Sequence, residues 1–319
     1  MTTKPRVLVI ALGGNALQRP EDDASVEGDF MRTRETTDHL LPLVASGQWR
    51  VVVTHGNGPQ VGNHLLRSEL GHRHGATPPL PLDVCVADTQ GGMGYMLQQS
   101  LTNAFAAAGL PAVAVALVTQ VLVDSDDPAF YNPSKPIGDT IPSERVLELE
   151  SRGWTLVEDE HRGGWRRVVA SPDPVEILEA EAVRALLERG VTVIAAGGGG
   201  IPVVQRADGV LSGVSAVVDK DLASALLAAD LGAAGLVILT DVPRVSLGFG
   251  TRAERPIERM TVAEARSYMD AGEFPAGSMG PKVEAICRFV TATSGTGVIT
   301  SIENCEGAVY GRAGTLIVP

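Results

Sequence analysis

Lysine is scarce in this chain of 319 residues. Lys and Arg together number 26, and only four of them are lysine: Lys4, Lys135, Lys220 and Lys282. Lys4 lies near the N-terminus, whereas the other three lie in short stretches rich in Gly, Pro, Asp and Ser. Arginine offers a rigid planar fork, and lysine offers a compact ammonium on a flexible stem. Lysine that persists in such a composition suits sites that need a small, movable positive charge beside a phosphate. Taken alone, however, the scarcity favours chance.

Cysteine and aromatic residues are also few. The three cysteines, Cys85, Cys287 and Cys305, are far apart and form no C-x-x-C pair. This pattern disfavours a disulfide framework or a zinc site and is typical of the reducing cytosol, so we expect a cytoplasmic protein. Aromatic residues make up 4% of the chain. The core must therefore consist of Val, Leu, Ile and Ala, which is typical of buried parallel strands.

Long apolar runs are missing. A stretch without charged residues lies between Asp88 and Asp124, but polar residues interrupt it near Gln98 and a Gly-Leu-Pro sequence splits it at Gly109. A transmembrane helix needs about 20 mainly apolar residues, so a helix, a turn and a buried strand explain this stretch better. The apolar run near the N-terminus is short and leads directly into the fold, so we expect neither a signal peptide nor a membrane partner.

Positive charge is in deficit, with a formal net charge of −12. This balance disfavours nucleic acid and anionic membrane as partners. A small anionic ligand is still compatible with it, because a few local cations and backbone N–H groups can hold a phosphate.

What the chain does have is a regular alternation of apolar runs, loops and helical patterns. Strands are predicted near residues 7–12, 50–54, 112–118, 191–196 and 235–240. Such alternation predicts an α/β fold, a three-layer αβα sandwich with a mostly parallel central sheet. Between about 120 and 174 the rhythm breaks into a segment rich in Gly, Pro, Arg and Trp. This segment predicts a small protruding subdomain or lid.

Glycine clusters follow three of the predicted strands. They are Gly13-Gly14, Gly56-Asn57-Gly58 and the run from Gly197 to Gly200. In open α/β sheets, ligands bind beyond the carboxyl ends of the strands. Since glycine lets backbone N–H groups approach a ligand closely, the clusters together predict an anion site, although a single one would more often be a tight turn.

Several common catalytic patterns are absent. No Gly precedes a Lys anywhere, so the P-loop motif cannot occur. The sequence after Gly56 nearly meets the dinucleotide fingerprint, but its spacing is one residue too long and Pro59 removes an N–H donor. The G-x-S-x-G nucleophile elbow is absent, and the histidines show no convincing metal spacing.

The surroundings of the three internal lysines are more informative. Asp219-Lys220-Asp221 opens a predicted helix, where Asp221 could cap the helix, position a lysine or hold Mg²⁺. Lys282 follows Pro281 at a predicted helix start, an unfavourable place for a cation, which indicates that it points at something negative. Lys135 lies between two prolines in the irregular segment, on a stiff loop that could bring it over a site.

Together, these stretches resemble the carbamate kinases of the amino acid kinase superfamily. The similarity covers nearly the whole chain in order, through VLVIALGGNA, VVTHGNGPQVGN, DTQGGMGYML, PSKPIG, VVDKDLAS and GSMGPKVEA. It implies reversible phosphoryl transfer between ATP and carbamate, giving ADP and carbamoyl phosphate, with Mg²⁺ carried by the nucleotide phosphates. It also implies a homodimer, and it equates the segment around Lys135 with the protruding subdomain of that family.

The resemblance also implies roles for particular residues. Lys220 and Lys282 would contact the transferring phosphoryl group and the nucleotide phosphates, Asp221 would orient them, and Lys135 would reach the carbamoyl phosphate. The substrate would be bound by Gly13, Gly14, Asn15, Gly56, Asn57 and Gly58. The nucleotide would lie near Asp219, Asp241, Ser278, Met279 and Gly280. On this basis we expect one domain over 1–319, with a carbamate part over 1–214, including a lid at about 120–174, and a nucleotide part over 215–319.

Two departures and two alternatives stay open. Pro243-Arg244-Val245-Ser246 follows Asp241-Val242, where the family resemblance leads us to expect an aromatic residue, and Asp139-Thr140 replaces an aromatic-rich turn. The first alternative is a superfamily kinase that acts on another small acid. The second is a non-catalytic homologue that senses nucleotide or carbamoyl phosphate.

Overall fold

The central sheet is seen in a computed structural model that describes residues 4–14, 17, 25–159, 163–275 and 277–319. It has eight described strands, in the spatial order β15 (Arg259–Thr261), β17 (Thr315–Val318), β16 (Thr296–Ser301), β12 (Gly235–Thr240), β1 (Arg6–Leu12), β2 (Trp49–His55), β9 (Thr192–Ile194) and β3 (Ala114–Ala116). Every neighbouring pair is parallel except β16 with β17. The prediction of a mostly parallel central sheet is confirmed.

Helices cover both faces of this sheet. The alternation along β1 shows this directly, because Val9 and Ala11 belong to one apolar cluster and Leu8, Ile10 and Leu12 belong to another. The first cluster includes α5 (Ala180–Glu188), α6 (Lys220–Asp230), α7 (Val262–Asp270) and α8 (Met279–Thr293). The second includes α1 (Val26–Ala45), α3 (Leu82–Ala107) and α9 (Cys305–Val309). Strands buried on both faces explain the continuous apolar runs in the sequence.

The segment predicted to protrude contributes strands to two further sheets. β4 (Gln120–Val123) and β8 (Pro174–Ile177) join β10 (Ile201–Gln205) and β11 (Leu211–Gly213) in a four-stranded sheet. In the chain between β4 and β8, three strands form a separate antiparallel sheet: β5 (Lys135–Ile141), β7 (Gly164–Val169) and β6 (Thr155–Asp159). A small cluster of Ile141, Leu149 and Leu156 packs this sheet against α4 (Val146–Glu150). The ends of the predicted segment therefore belong to a sheet shared with later strands.

A close approach of two glycines fastens β5 to α2 (Gly58–Arg73). A Cβ added to Gly62 of α2 would lie 2.1 Å from the Cα of Gly138 in β5, and Gly138 has a φ of +72°. Gly62 has no room for a side chain, and at Gly138, where a Cβ would make only ordinary contacts, the positive φ favours glycine. This contact fixes the backbone of β5, which carries Lys135, against the body of the protein.

Other described features complete the fold. A short hairpin pairs β13 (Ser246–Leu247) with β14 (Arg255–Pro256). Cys85, Cys287 and Cys305 are buried thiols on α3, α8 and α9. Among the described residues, no helix is long and apolar enough to cross a membrane.

Candidate active site

The start of α6 is the centre of the candidate site. Asp219 is its N-cap, in an extended conformation, and its Oδ1 accepts hydrogen bonds from the backbone N of Asp221 at 2.8 Å and of Leu222 at 3.4 Å. The alternative that Asp221 caps this helix is therefore wrong. Lys220 is already the first helical residue, and a cap must precede it so that its side chain can reach the second and third N–H groups.

Asp221 instead lies between two lysines. Its carboxylate is nearly inaccessible, with 4% of the side chain exposed. Oδ1 accepts from Lys220 Nζ, and Oδ2 accepts from Lys282 Nζ at 3.2 Å. Lys282 also donates to the carbonyl of Ser278 at 3.2 Å. The position of Lys282 in the first turn of α8 predicts that it points at a negative group. That group is the carboxylate of Asp221.

Lys135 reaches the same place from the antiparallel sheet. Its Nζ donates to Oδ2 of Asp219, the oxygen that the α6 cap does not use. The structure therefore brings together the three internal lysines and the two aspartates that flank Lys220. Positive charge exceeds negative by one in this group, so it can accept an anionic ligand.

Burial changes the protonation equilibria here. Burial lowers the pKa of the Lys220 ammonium; Asp221 opposes this effect and the like charge of Lys282 adds to it. For Asp219, burial alone would raise the pKa of the carboxyl, but Lys135, Lys220 and the N–H of Asp221 outweigh it and hold it well below the usual range. Asp219 is therefore a carboxylate near neutral pH, and an incoming anion would favour the charged form of Lys220.

Two glycine clusters lie at the strand ends beside these lysines. A Cβ on Gly56 would lie 3.4 Å from Cδ of Lys220, so the lysine stem passes over the end of β2. Gly13 packs against β12, with a hypothetical Cβ 2.7 Å from the carbonyl oxygen of Leu239. At Gly14 and Gly58, a Cβ would meet no described atom within 4 Å, which leaves space for a ligand. Asn15 lies outside the described residues.

The third glycine cluster is filled by protein. A Cβ at Gly198 would lie 2.2 Å from Nδ2 of Asn57, and one at Gly199 would lie 2.2 Å from the carbonyl oxygen of Val218. The N–H groups of Gly199 and Gly200 donate within the turn. This loop is consequently a packing junction beside Asn57, and its glycines are required because no side chain fits.

Asn57 is deeply buried beside this loop. It is 3% exposed, and its Nδ2 donates to Thr89 Oγ1 at 2.9 Å. Gln90, the next residue on α3, donates to the carbonyl of Gly197 at 2.9 Å. Asn57 is therefore held by α3 and lies against Gly198 of the glycine loop, while its part in binding substrate stays a prediction.

Sequence reasoning overlooked His55, the last residue of β2. It is buried, and its Nδ1 donates to the carbonyl oxygen of Gly56 at 2.9 Å. Burial lowers the pKa of His55 to about 4; the Gly56 hydrogen bond opposes this and the charge of Lys220 adds to it. The imidazole is therefore neutral near pH 7. The only sequence clue was its position between a strand and a Gly-Asn-Gly turn.

The residues predicted to lie near the nucleotide fall around α8 and β12. Ser278 precedes α8, and its carbonyl bonds Lys282. Met279 and Gly280 form the first turn, where a Cβ on Gly280 would lie 3.2 Å from the carbonyl oxygen of Pro275. Asp241 is exposed just after β12. Asp219, placed in this group by resemblance, contacts Lys135 and the α6 backbone, and its place beside the nucleotide stays a prediction.

Comparison with known families assigns the fold. A model described as the amino acid kinase family matches residues 6–301. The chain belongs to the amino acid kinase family. Its relatives in this family include the carbamate kinase of Pyrococcus furiosus, with 45% identity over 313 residues, which cover 98% of this chain and 99% of that protein.

Solved structures of this family superpose on nearly the whole chain. The carbamate kinase from Giardia lamblia bound to citric acid has a TM-score of 0.92 and 40% identity, covering 98% of both chains. The same Giardia protein bound to AMP-PNP has a TM-score of 0.89 and 40% identity, again with 98% of both chains covered. The sheet order and subdomain described above are therefore those of an amino acid kinase family member.

Proposed function

We propose that this protein is a carbamate kinase, which transfers a phosphoryl group reversibly between ATP and carbamate to give ADP and carbamoyl phosphate. The observation that carries the proposal is the meeting of Lys135, Lys220 and Lys282 around two aspartates at the carboxyl edge of the central sheet. Near-complete similarity to carbamate kinases supports the choice of substrate.

The chemistry of this reaction suits a site built from cations. Carbamate is already an anion and a competent nucleophile, so the enzyme needs no strong general base. Catalysis can rest on in-line positioning and on neutralising the charge of the phosphoryl group in flight. A cluster of ammonium groups with excess positive charge supplies that neutralisation in a site partly shielded from water.

We assign the lysines different parts in this reaction. Lys220 and Lys282 contact the transferring phosphoryl group, and Asp221 holds their ammonium groups side by side. Lys135 arrives from the subdomain and contacts the carbamoyl phosphate end. The open positions at Gly14 and Gly58 give the substrate access to backbone N–H groups at the ends of β1 and β2.

The two halves of the chain then bind different substrates. Residues 1–214, with the lid, bind carbamate or carbamoyl phosphate, through Gly13 and Gly56 among others. Residues 215–319 bind ATP or ADP, with Asp241 and the turn at Ser278 near the nucleotide. The presence of AMP-PNP on the Giardia carbamate kinase supports nucleotide binding by this fold.

Magnesium accompanies the nucleotide in this proposal. Within the described residues, no group of three or more His, Cys, Asp or Glu side chains is arranged to hold a metal. Asp219 and Asp221 accept hydrogen bonds from lysines and backbone N–H groups. We place Mg²⁺ on the phosphate oxygens of the nucleotide, where it would neutralise developing charge.

The deciding experiment is ATP formation from carbamoyl phosphate, ADP and Mg²⁺, with Lys220→Ala as the matched control. We expect ATP to form with the unmodified protein and to drop by about 100-fold with the variant. Folded protein that forms no ATP here would overturn the proposal. Turnover with other acyl phosphates but not with carbamoyl phosphate would indicate a different superfamily kinase. Nucleotide binding without any turnover would indicate a sensor.

The family resemblance of the sequence also implies a homodimer, which stays a prediction. One chain has a mass of 33.3 kDa. Light scattering coupled to size exclusion should therefore give about twice that mass. A mass of one chain at assay concentration would contradict the dimer without affecting the proposed reaction.

A further inference from the structure

The carboxylate of Asp219 joins two parts of the chain that lie 84 residues apart. Its Oδ1 accepts from two backbone N–H groups at the start of α6, and its Oδ2 accepts from Lys135 of β5. One side chain therefore connects the helix that carries Lys220 with the antiparallel sheet of the subdomain.

The cap alone does not require a carboxylate. Asn and Ser are about as good as Asp at the N-cap position, because one neutral oxygen can accept both N–H groups. The second oxygen of Asp219 binds only the ammonium of Lys135 among the described residues. Since 13% of the Asp219 side chain is exposed, this ion pair is only partly screened by water. The negative charge thus has a purpose that the cap does not explain.

The position of the Lys135 ammonium is not determined by its backbone. The backbone is fixed by pairing of Lys135 with Val169 in β7 and by the approach of Gly138 to Gly62 of α2. Four rotatable bonds still separate Cα from Nζ, and 29% of the side chain is exposed. A lysine held in one rotamer loses much conformational entropy, so a specific partner is needed to hold it.

The charges around Asp219 favour the same arrangement. Lys220 follows it in the chain, and its ammonium is taken by Asp221, which Lys282 also contacts. Asp221 is therefore shared by two cations, whereas Asp219 is left to Lys135. Each of the three internal lysines therefore has a carboxylate partner. These partners let the three ammonium groups lie in the same site.

We propose that Asp219 is a positioning residue for Lys135: it holds the Lys135 ammonium at the start of α6, so that the subdomain is aligned with the phosphoryl site before substrate binds. This inference rests on the proposed carbamate kinase activity and gives Asp219 a role distinct from the place beside the nucleotide that resemblance implied. Substrate would then meet a lysine that is already in place, which lowers the cost of ordering it.

Lysine labelling tests the arrangement without using activity. The chain has four lysines, so reaction with an amine-specific ester can be followed at each of them by mass spectrometry. In Asp219→Asn, which keeps the cap, we expect Lys135 to react about five- to tenfold faster, because a charge-assisted hydrogen bond is lost. Exposed Lys4 should react at its original rate. An unchanged rate at Lys135 would overturn the proposal.

Asp139→Asn is the matched control for this measurement. It makes the same chemical change at an exposed carboxylate on β5, the strand that carries Lys135. We expect no change in Lys135 labelling. If Asp139→Asn accelerates Lys135 as much as Asp219→Asn does, the effect is one of general charge and the proposal is wrong. Should Asp219→Asn fail to fold, Asp219→Ser retains a capping oxygen and replaces it.

Kinetics in a double-mutant cycle tests the consequence. Asp219→Asn should lower kcat/KM for carbamoyl phosphate about tenfold, leave KM for ADP within about twofold, and have no further effect in a Lys135→Ala background. Independent, multiplying effects would show that Asp219 acts by another route. If the unmodified protein forms no ATP, the proposed function fails, while lysine labelling still decides whether Asp219 holds Lys135.

Discussion

Lys282 donates to Asp221 at 3.2 Å across 61 residues of chain, and this bond joins the first turns of α8 and α6. Both helices pack on the same face of the sheet, and the stem of Lys220 at the start of α6 passes beside the end of β2. The cation at a helix start is unfavourable for the helix dipole. The carboxylate of Asp221 offsets that cost for Lys282. It also holds the Lys282 ammonium where a phosphoryl group could replace one of the contacts of that ammonium.

The first prediction concerns the two lysines that share Asp221. Lys220→Ala and Lys282→Ala should each lower ATP formation by about 100-fold or more, because each removes a positive charge from the reacting phosphoryl group. Circular dichroism should show an intact fold. Lys4→Ala, which changes an exposed lysine near the N-terminus, is the control and should be as active as the unmodified protein. Near-normal turnover in both site variants would remove them from a catalytic role.

The second prediction concerns Asp221 itself. Asp221→Asn leaves two close ammonium groups without their shared, buried carboxylate, so it should lower the free energy of unfolding by about 3 kcal/mol. Urea denaturation measures this change. A polyphosphate anion should restore part of the loss, because it supplies the missing negative charge. Unchanged stability in the variant would contradict the view that the two lysines depend on Asp221.

The third prediction concerns pH. The pKa of His55 is lowered to about 4 when folded, so between pH 4 and the unfolded value of 6.5 the unfolded chain binds more protons. The stability that the neutral imidazole contributes is thus present above pH 6.5 and is lost as the pH falls toward 4. The free energy of unfolding should fall by about 2 kcal/mol between pH 7 and pH 5. Urea denaturation at both pH values measures it.

His55→Asn is the matched variant for that measurement. The amide Nδ2 of asparagine can replace the Nδ1 donor that bonds the carbonyl of Gly56, but it does not titrate. The variant should lose most of the pH dependence in this window, whatever its stability at pH 7. A slope equal to that of the unmodified protein would assign the pH dependence to other groups.

The fourth prediction concerns the junction of α2 and β5. A Cβ on Gly62 would lie 2.1 Å from Gly138 Cα and 2.3 Å from Gly138 N, and both atoms belong to backbone. Gly62→Ala should therefore lower the free energy of unfolding by about 1–3 kcal/mol, as overpacking does. It should also reduce activity by moving Lys135. Gly91→Ala on α3, where a Cβ meets open space, should instead raise stability by a few tenths to about 1 kcal/mol.

Part of this arrangement can be predicted from sequence, because it depends on patterns within short stretches of the chain. Continuous apolar strands such as β1 predict the parallel sheet because both faces of each strand are covered. The lysines stand out because so few exist in the chain. The Asp-Lys-Asp sequence at the start of α6 places two carboxylates beside one ammonium without any knowledge of tertiary structure.

What sequence cannot predict depends on contacts between distant segments. Either Asp219 or Asp221 could cap α6 by composition, and only the exact first helical residue decides between them. The partnership of Asp219 with Lys135 depends on how β5 folds back, which the approach of Gly62 to Gly138 sets. Burial of His55 likewise follows from packing against Gly197, which lies on another strand's loop.

The last prediction separates Lys135 from the other lysines. Lys220 and Lys282 lie on helices packed against the central sheet, whereas Lys135 lies on the antiparallel sheet of the subdomain. Lys135→Ala should therefore raise KM for carbamoyl phosphate about tenfold or more and change KM for ADP by less than about twofold. Lys135→Arg should not fully restore activity, because a planar fork cannot occupy the position of a compact ammonium. Steady-state kinetics with each substrate varied in turn measures both constants. An equal rise in the two KM values would show that Lys135 serves both substrates, and the division of the chain into two substrate-binding parts would then have to be redrawn.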